Sequence, residues 1–92
     1  MTLLTEEEIT EALAGLPDWA RDGDSISATV QLADFREAML FTGAVAYLAE
    51  AANHHPDILI RWNRVTLTLS THSAGGLTGA DMNLAGRISA LR

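Results

Sequence analysis

The segment Phe35–Ala52 constrains the fold more than any other part of the sequence. It contains Ala, Met, Leu and Phe in helical quantity, has no proline, and follows a helix-start signature in which Asp34 precedes Glu37 by three residues. Pro56 disfavours helical backbone at the residue before it, and Asn53 is a natural C-terminal cap. The sequence therefore predicts one long central helix that ends just before two adjacent histidines.

The apolar residues of this central helix occupy more than one face. The main predicted stripe consists of Phe35, Ala38, Met39, Thr42, Ala46 and Ala49, and other faces carry Leu40, Phe41, Ala44, Tyr47 and Leu48. A helix that is apolar on several sides packs against two partners. We expect one partner to be a sheet and the other a neighbouring subunit, which predicts a homodimer or homotetramer formed through the central helix.

Strand-like alternation occurs on both sides of the central helix. Residues 19–21 and 25–32 flank the turn dipeptide Asp22-Gly23, and residues 58–62 and 65–72 are joined at Asn63-Arg64. In residues 25–32 and 65–72, apolar side chains alternate with polar ones, which is typical of a half-buried strand. The pattern predicts two hairpins, with His72 on the polar side of the last strand at its end.

Two further helices are predicted, one at each end of the chain. Each begins with a capping box, Thr5 with Glu8 in the first and Thr78 with Asp81 in the last. Their apolar faces comprise Ile9, Ala12, Leu13 and Leu16, and Leu84, Ala85, Ile88 and Leu91, respectively. The expected fold is a single α+β domain over residues 1–92 in the order α-β-β-α-β-β-α, a four-stranded antiparallel sheet covered on one face by three helices.

Composition excludes several classes of function. The 6 basic and 12 acidic residues leave a net charge of -6, which argues against direct binding to nucleic acid. The chain has no cysteine, so disulfides, thiolate metal sites and cysteine nucleophiles are excluded. The N-terminus lacks the pattern of a secretory signal, and residues 39–48, the longest apolar stretch, are too few to span a bilayer. We therefore expect a cytoplasmic protein without membrane contact.

The only three histidines, His54, His55 and His72, are the candidate chemical groups. Histidine exchanges protons near neutral pH, which suits general acid-base catalysis. Three surface or capping histidines are the alternative interpretation. Position favours a site, because the first two lie at a helix-to-strand corner and the third lies before a glycine loop, where sites commonly form on a rigid scaffold.

An ordered set of motifs surrounds these histidines. Glu50 is followed by His54-His55-Pro56, Trp62-Asn63, Ser70-Thr71-His72, Gly76-Leu77-Thr78 and Asp81. This combination resembles the pterin-4a-carbinolamine dehydratase family, and the resemblance runs from about residue 5 through the last helix. A combination of this length is far more specific than any short signature.

The resemblance implies an enzyme, a hydro-lyase that dehydrates 4a-hydroxytetrahydropterin to quinonoid dihydropterin and recycles the tetrahydrobiopterin-type cofactor after an aromatic amino acid hydroxylase has used it. It implies no metal and no organic cofactor. The positions that match the family's pterin site are Glu50, Asn53, His54, His55, Ser70, Thr71, His72 and Trp19. His54 and His72 are the predicted proton carriers, and His55 is predicted to hold and orient the substrate.

Several positions have a structural interpretation beside the functional one. Glu50 either orients an imidazole or is solvated at the helix end, and Trp19 either covers the pterin ring or belongs to the core. Trp62 alternates with Ile58 and Ile60, which favours packing. Asp81 is interpreted as a helix cap. Many members of the family have Asp where this chain has Asn53, so a carboxylate beside the first histidine is absent here.

The sequence is also compatible with two other functions. One is a zinc site formed by the three histidines and Glu50, although adjacent histidines in an extended segment point to opposite faces. The other is a non-enzymatic role, since the resemblance also implies dimerisation with transcription factors through the apolar central helix. A scaffold does not require three histidines in site order, whereas the enzyme does.

Overall fold

Three α-helices and two β-hairpins alternate along the chain in the computed structural model, which describes residues 2–92. The helices are α1 (Glu6–Ala14), α2 (Phe35–Ala52) and α3 (Gly79–Ser89), and the strands are β1 (Ala20–Asp22), β2 (Ser25–Gln31), β3 (Asp57–Arg61) and β4 (Arg64–Leu69). A short 3-10 helix, His72–Ala74, lies between β4 and α3. The predicted α+β class and the order of helices and strands are confirmed.

The four strands form one antiparallel sheet in the order β1-β2-β4-β3. The buried side chains of the two central strands are Ile26, Ala28 and Val30 on β2 and Val65, Leu67 and Leu69 on β4. On the opposite face Thr29 and Thr66 are partners in the register, and their hydroxyls lie 2.9 Å apart. The alternation of the sequence thus places one face of the sheet on the helices and leaves the other in contact with solvent.

Both terminal helices begin at the predicted caps. In α1 the Thr5 N–H donates to Glu8 Oε1 over 2.8 Å, and the Glu8 N–H donates to Thr5 Oγ1 over 3.1 Å. The buried residues of α1 and α3 include Ile9, Leu84, Ala85 and Ile88. Leu91 was expected on the apolar face of the last helix, but α3 ends at Ser89 and Leu91 is 43% exposed. The helix ends two residues before Leu91, which therefore does not continue its buried face.

An exposed ion pair ties α1 to the first hairpin. The Arg21 guanidinium donates from Nη1 and Nη2 to the two Glu6 carboxylate oxygens over 2.6 and 3.0 Å. Hydrogen bonding from this guanidinium, reinforced by its charge, lowers the pKa of Glu6 below its ordinary value. Because solvent screens both groups, the pair orients α1 rather than stabilising the fold substantially.

The long helix α2 has the predicted bounds, but only Ala38, Thr42 and Ala49 of its predicted stripe are buried or half-buried. Its buried residues are Ala38, Val45 and Ala49, and Phe41, Thr42 and Leu48 are half-buried. Phe35, Met39 and Ala46, which were expected in the main stripe, are exposed. The small residues of the stripe that is buried allow α2 to approach the sheet closely, which leaves the larger apolar side chains outside. No helix within residues 2–92 combines the length and apolar character needed to cross a bilayer.

The second hairpin turns one residue earlier than expected. Arg61 pairs with Arg64, so the turn contains Trp62 and Asn63 rather than Asn63 and Arg64. Asn63 is buried because its Nδ2 donates to the Leu32 carbonyl over 3.0 Å and its own carbonyl accepts from the Leu32 N–H over 2.8 Å. These two hydrogen bonds hold Asn63 against Leu32. Trp62 is left 68% exposed with φ of 51°, so the interpretation of Trp62 as a packing residue was wrong.

Replacing Trp62 with asparagine is expected to leave the free energy of unfolding unchanged or to raise it by up to about 1 kcal/mol. Left-handed backbone is unfavourable for tryptophan, whereas asparagine tolerates it, and the exposed indole contributes little burial. Urea denaturation measures the difference. The matched control is Leu59→Asn, an exposed position on β3, where asparagine is disfavoured in a strand and should lower stability. A loss above about 1 kcal/mol in Trp62→Asn would show that the indole packs.

Candidate active site

The corner between α2 and β3 positions the first two histidines. Asn53 ends α2 in left-handed backbone with φ of 50°, and its N–H donates to carbonyls in the last turn of the helix. The His54 N–H donates to the Ala49 carbonyl over 3.0 Å, which completes the cap. Pro56 then directs the chain into β3. The predicted cap is confirmed, and it places His54 and His55 at the first two positions after α2.

The loop after β4 positions the third histidine differently from the prediction. The strand ends at Leu69, and His72 begins a 3-10 helix, so its predicted place at a strand end was wrong. Thr71 causes the change. Its N–H donates to the Gly76 carbonyl over 2.9 Å, and the chain closes a tight loop through Gly75, which has φ of 76°. This loop turns His72 outward, and its side chain is exposed.

The corner and the loop meet in one pocket of about 240 Å³. Its lining residues are Asn53, His54, His55, Ser70, Thr71, His72 and Ser73. All three histidines therefore face the same cavity although His72 is far from the other two in sequence. Six of the eight residues expected at the site line this pocket, and Ser73 is an addition that the sequence did not suggest.

The buried carboxylate of Asp81 is the main feature that the sequence interpretation missed. Its Oδ1 lies 2.6 Å from His54 Nε2, and its Oδ2 accepts from Thr71 Oγ1 over 2.8 Å and from the Thr78 N–H over 2.9 Å. Asp81 is 0% exposed, and the His54 side chain is 14% exposed. Asp81 is thus both the expected helix cap and the partner of a pocket histidine. Its place in the family-like motif was the only sequence signal for the second role.

The number of hydrogens on each group determines which atoms donate and which accept in this network. Thr71 has one hydroxyl hydrogen and donates it to Asp81, so the Thr78 hydroxyl, 2.8 Å away, donates to Thr71. An ionised carboxylate only accepts, so His54 carries its hydrogen on Nε2. Nδ1 of His54 is then the ring nitrogen that is free to exchange a proton with a bound molecule. Within residues 2–92, every buried side-chain nitrogen and oxygen has a hydrogen-bond partner.

His55 has an acidic partner of its own, but in a more exposed setting. Its Nε2 lies 2.5 Å from Glu50 Oε2, and the two side chains are 57% and 78% exposed. Glu50 therefore orients the His55 imidazole, which is one of the two roles expected for it. Glu50 itself is not among the residues that line the pocket. Exposure weakens this pair relative to that between His54 and Asp81. The three histidines are thus unequally held.

Trp19 and Thr71 occupy structural positions. Trp19 is 5% exposed in the hydrophobic core, and its Nε1–H donates to Ser89 Oγ over 3.0 Å. This agrees with the core interpretation and not with a ring cover, and Trp19 is not among the residues that line the pocket. Thr71 does line the pocket, but its hydroxyl is committed to Asp81 and Thr78.

The pocket offers proton-exchanging groups rather than a ligand set for a metal. In the described part of the chain, no three His, Asp or Glu side chains are grouped to hold a metal ion. His54 and His55 instead bond to two different carboxylates. What the arrangement supplies is a half-buried, oriented imidazole and two exposed imidazoles around one cavity.

Comparisons with known proteins point to one family. Residues 2–91 match the family model described as pterin 4 alpha carbinolamine dehydratase. A Nocardia farcinica protein provisionally named pterin-4-alpha-carbinolamine dehydratase is 58% identical over 97% of this chain and 94% of its own. A crystal structure of a transcriptional coactivator/pterin dehydratase from Brucella melitensis has a TM-score of 0.94 and 36% identity over 98% of both chains.

A more distant solved structure shares only the fold. It is that of a pterin dehydratase-like protein identified as a RuBisCO assembly factor in the alpha-carboxysome, with a TM-score of 0.65 and 23% identity over 79% of this chain and 84% of its own. The match across residues 2–91, the identity to relatives over most of their length and the shared fold lead to one conclusion. The chain belongs to the pterin-4-alpha-carbinolamine dehydratase family of hydro-lyases.

Proposed function

We propose that this protein dehydrates 4a-hydroxytetrahydropterin to quinonoid dihydropterin and water by histidine acid-base catalysis. The proposal is supported by family membership and by three imidazoles around one pocket. In the cytoplasm, this reaction recycles the tetrahydrobiopterin-type cofactor of an aromatic amino acid hydroxylase. The pterin is the substrate, and the protein's own residues carry the chemistry.

The reaction requires one proton to be supplied and one removed. The C4a–O bond breaks with protonation of the leaving hydroxyl, and N5 loses its hydrogen as the C4a–N5 double bond forms. An acid and a base near opposite sides of the same ring would lower both barriers. His54 and His72 reach the pocket from two different elements, the corner after α2 and the loop after β4, which suits them to these two roles.

The single observation that carries the mechanism is the bond from His54 to Asp81. The carboxylate holds His54 in one tautomer by accepting its hydrogen bond, as the aspartate of a Ser-His-Asp triad does for its histidine. Nδ1 of His54 can then accept a proton while Asp81 stabilises the imidazolium that forms. His72, an exposed residue of the lining, is suited to exchange protons with water and with the leaving group. His55, held by Glu50, would orient the pterin.

The test is a direct assay. A hydroxylase generates the 4a-hydroxypterin, and the appearance of the quinonoid product is followed spectroscopically with and without this protein. Acceleration proportional to protein concentration is expected, and it should persist after metal removal by a chelator. Formation of quinonoid product at the uncatalysed rate would contradict the proposal.

A second candidate function is self-association or regulatory dimerisation through α2. Its support is the set of exposed apolar side chains on that helix, Phe35, Met39, Leu40 and Tyr47, of which Leu40 is 60% and Tyr47 75% exposed. Large apolar side chains grouped on one helix commonly mark an interface. The Brucella melitensis relative is named both as a coactivator and as a dehydratase, which supports testing for a second role beside catalysis.

Replacing Leu40 with glutamate is expected to convert the assembly to a monomer, because a charge at the centre of an apolar interface must be desolvated. Light scattering coupled to size exclusion measures the mass. Gln31→Glu, an exposed position on β2, is the matched control that should leave the mass unchanged. A wild-type protein that already runs as a monomer would contradict self-association, and a dimer that survives Leu40→Glu would contradict the use of α2.

A further inference from the structure

A second cavity of about 370 Å³ adjoins the histidine pocket, and the two share Ser70 and His72. The other residues that line it are Asp24, Ser25, Asp57, Thr68 and Gly75. We refer to this cavity as the acidic groove. Because it contains only one of the three histidines, it extends the proposed site rather than duplicating it.

The sheet places the two carboxylates of the acidic groove on either side of β4. Asp24 lies in the turn before β2, and Ser70 Oγ donates to the Asp24 carbonyl over 2.9 Å. Asp57 begins β3 and is paired in register with Thr68 of β4. Since β4 lies between β2 and β3, the carboxylates are separated by about two strand spacings, or about 10 Å.

The electrostatic character of the groove is negative. Asp24 and Asp57 are exposed, and neither carboxylate accepts a hydrogen bond or forms an ion pair within residues 2–92. Arg21 interacts electrostatically with Asp24, but its guanidinium is already paired with Glu6. His72 is the only other titratable group among the described residues that line the groove, so the lining itself carries no fixed positive charge.

We propose that the acidic groove receives the substituent carried by the pterin ring and selects a neutral, hydroxylated substituent over an anionic one. Asp24 and Asp57 are then specificity-determining residues. This inference rests on the proposed function, because it takes the ring itself to lie in the histidine pocket. Ser70 and His72 line both cavities, so a substituent on the bound ring would cross at these two residues.

The chemistry of the lining accounts for both parts of this preference. Carboxylates accept hydrogen bonds from substrate hydroxyls, as the acidic residue of a dinucleotide-binding fold does from a ribose. A three-carbon side chain is too short to reach both acids across β4, so one carboxylate binds a hydroxyl while both contribute to the local potential. A carboxylate or phosphate on the substituent has no hydrogen to donate to these acids and meets like charge.

The test compares three stable oxidised pterins that differ only at the side chain, a methyl, a dihydroxypropyl and a carboxylate group. Kd is measured by titrating pterin fluorescence at low ionic strength with the wild-type protein and with Asp24→Asn/Asp57→Asn. In the variant, Kd for the dihydroxypropyl pterin is expected to rise about fivefold through loss of a charge-assisted hydrogen bond. Kd for the carboxylate pterin is expected to fall about threefold, and the fall should vanish in high salt.

The methyl pterin separates this inference from the proposed function. Its Kd should be the same in wild type and variant, because it reaches only the histidine pocket. The control Glu7→Gln/Glu11→Gln removes two charges from exposed positions on α1 and should change none of the three values. Equal affinity of the wild-type protein for the three pterins, or parallel shifts in both double variants, would overturn the inference while leaving the function intact. Failure to bind any pterin would overturn both.

Discussion

Replacing His54 with glutamine is expected to lower kcat for dehydration by about 10²- to 10⁴-fold, the usual contribution of a general acid-base group. Glutamine can still donate from its amide to Asp81, so the buried carboxylate keeps a partner and the fold is retained. It has no nitrogen that exchanges protons near neutral pH. Steady-state kinetics on the 4a-hydroxypterin measure the loss, and thermal unfolding checks the fold.

The matched control for this change is His55→Gln at the adjacent position. His55 is exposed and is held by the exposed Glu50, so its replacement should act mainly on KM, with a smaller effect on kcat. His72→Gln should resemble His54→Gln in kcat. Wild-type kcat in both His54→Gln and His72→Gln would disprove the acid-base assignment.

Replacing Asp81 with asparagine is expected to lower kcat by about 10²-fold or more, the tautomer effect known from the Ser-His-Asp triad. The asparagine oxygen can still accept from Thr71 and from the Thr78 N–H. Its amide nitrogen then faces His54 Nε2 and donates to it, which moves the histidine hydrogen to Nδ1. The nitrogen available to the substrate would be protonated when the base is required. Stability should fall by about 1 to 3 kcal/mol because a buried charge-assisted network is weakened.

Kinetic coupling distinguishes a positioning role for Asp81 from a merely structural one. If Asp81 acts through His54, adding Asp81→Asn to His54→Gln should cause little further loss of kcat. The pH dependence of kcat should also change in Asp81→Asn, which a general loss of stability would not produce. Glu50→Gln is the exposed control and should leave kcat nearly unchanged. Fully additive losses in the double variant would contradict the role.

Local sequence signals predicted much of the fold because they depend on neighbours along the chain. The bounds of α2 follow from Asp34 at its start and from Asn53 and Pro56 at its end. The capping boxes at Thr5 and Thr78 and the alternation of the two central strands likewise depend on residues close together in the sequence. The second hairpin was misplaced by one residue because Asn63 is buried against Leu32, a contact across 31 positions.

Within the candidate site, too, local signals could be predicted from the sequence and long-range contacts could not. Their chemistry and the corner that places His54 beside His55 could be predicted from the sequence alone, because capping and proline geometry are local. The path of the loop around His72, the core position of Trp19 and the bond from Asp81 to His54 were decided by packing between distant elements. A buried carboxylate takes whichever donors the fold brings to it, and only the tertiary structure shows that one of them is a pocket histidine.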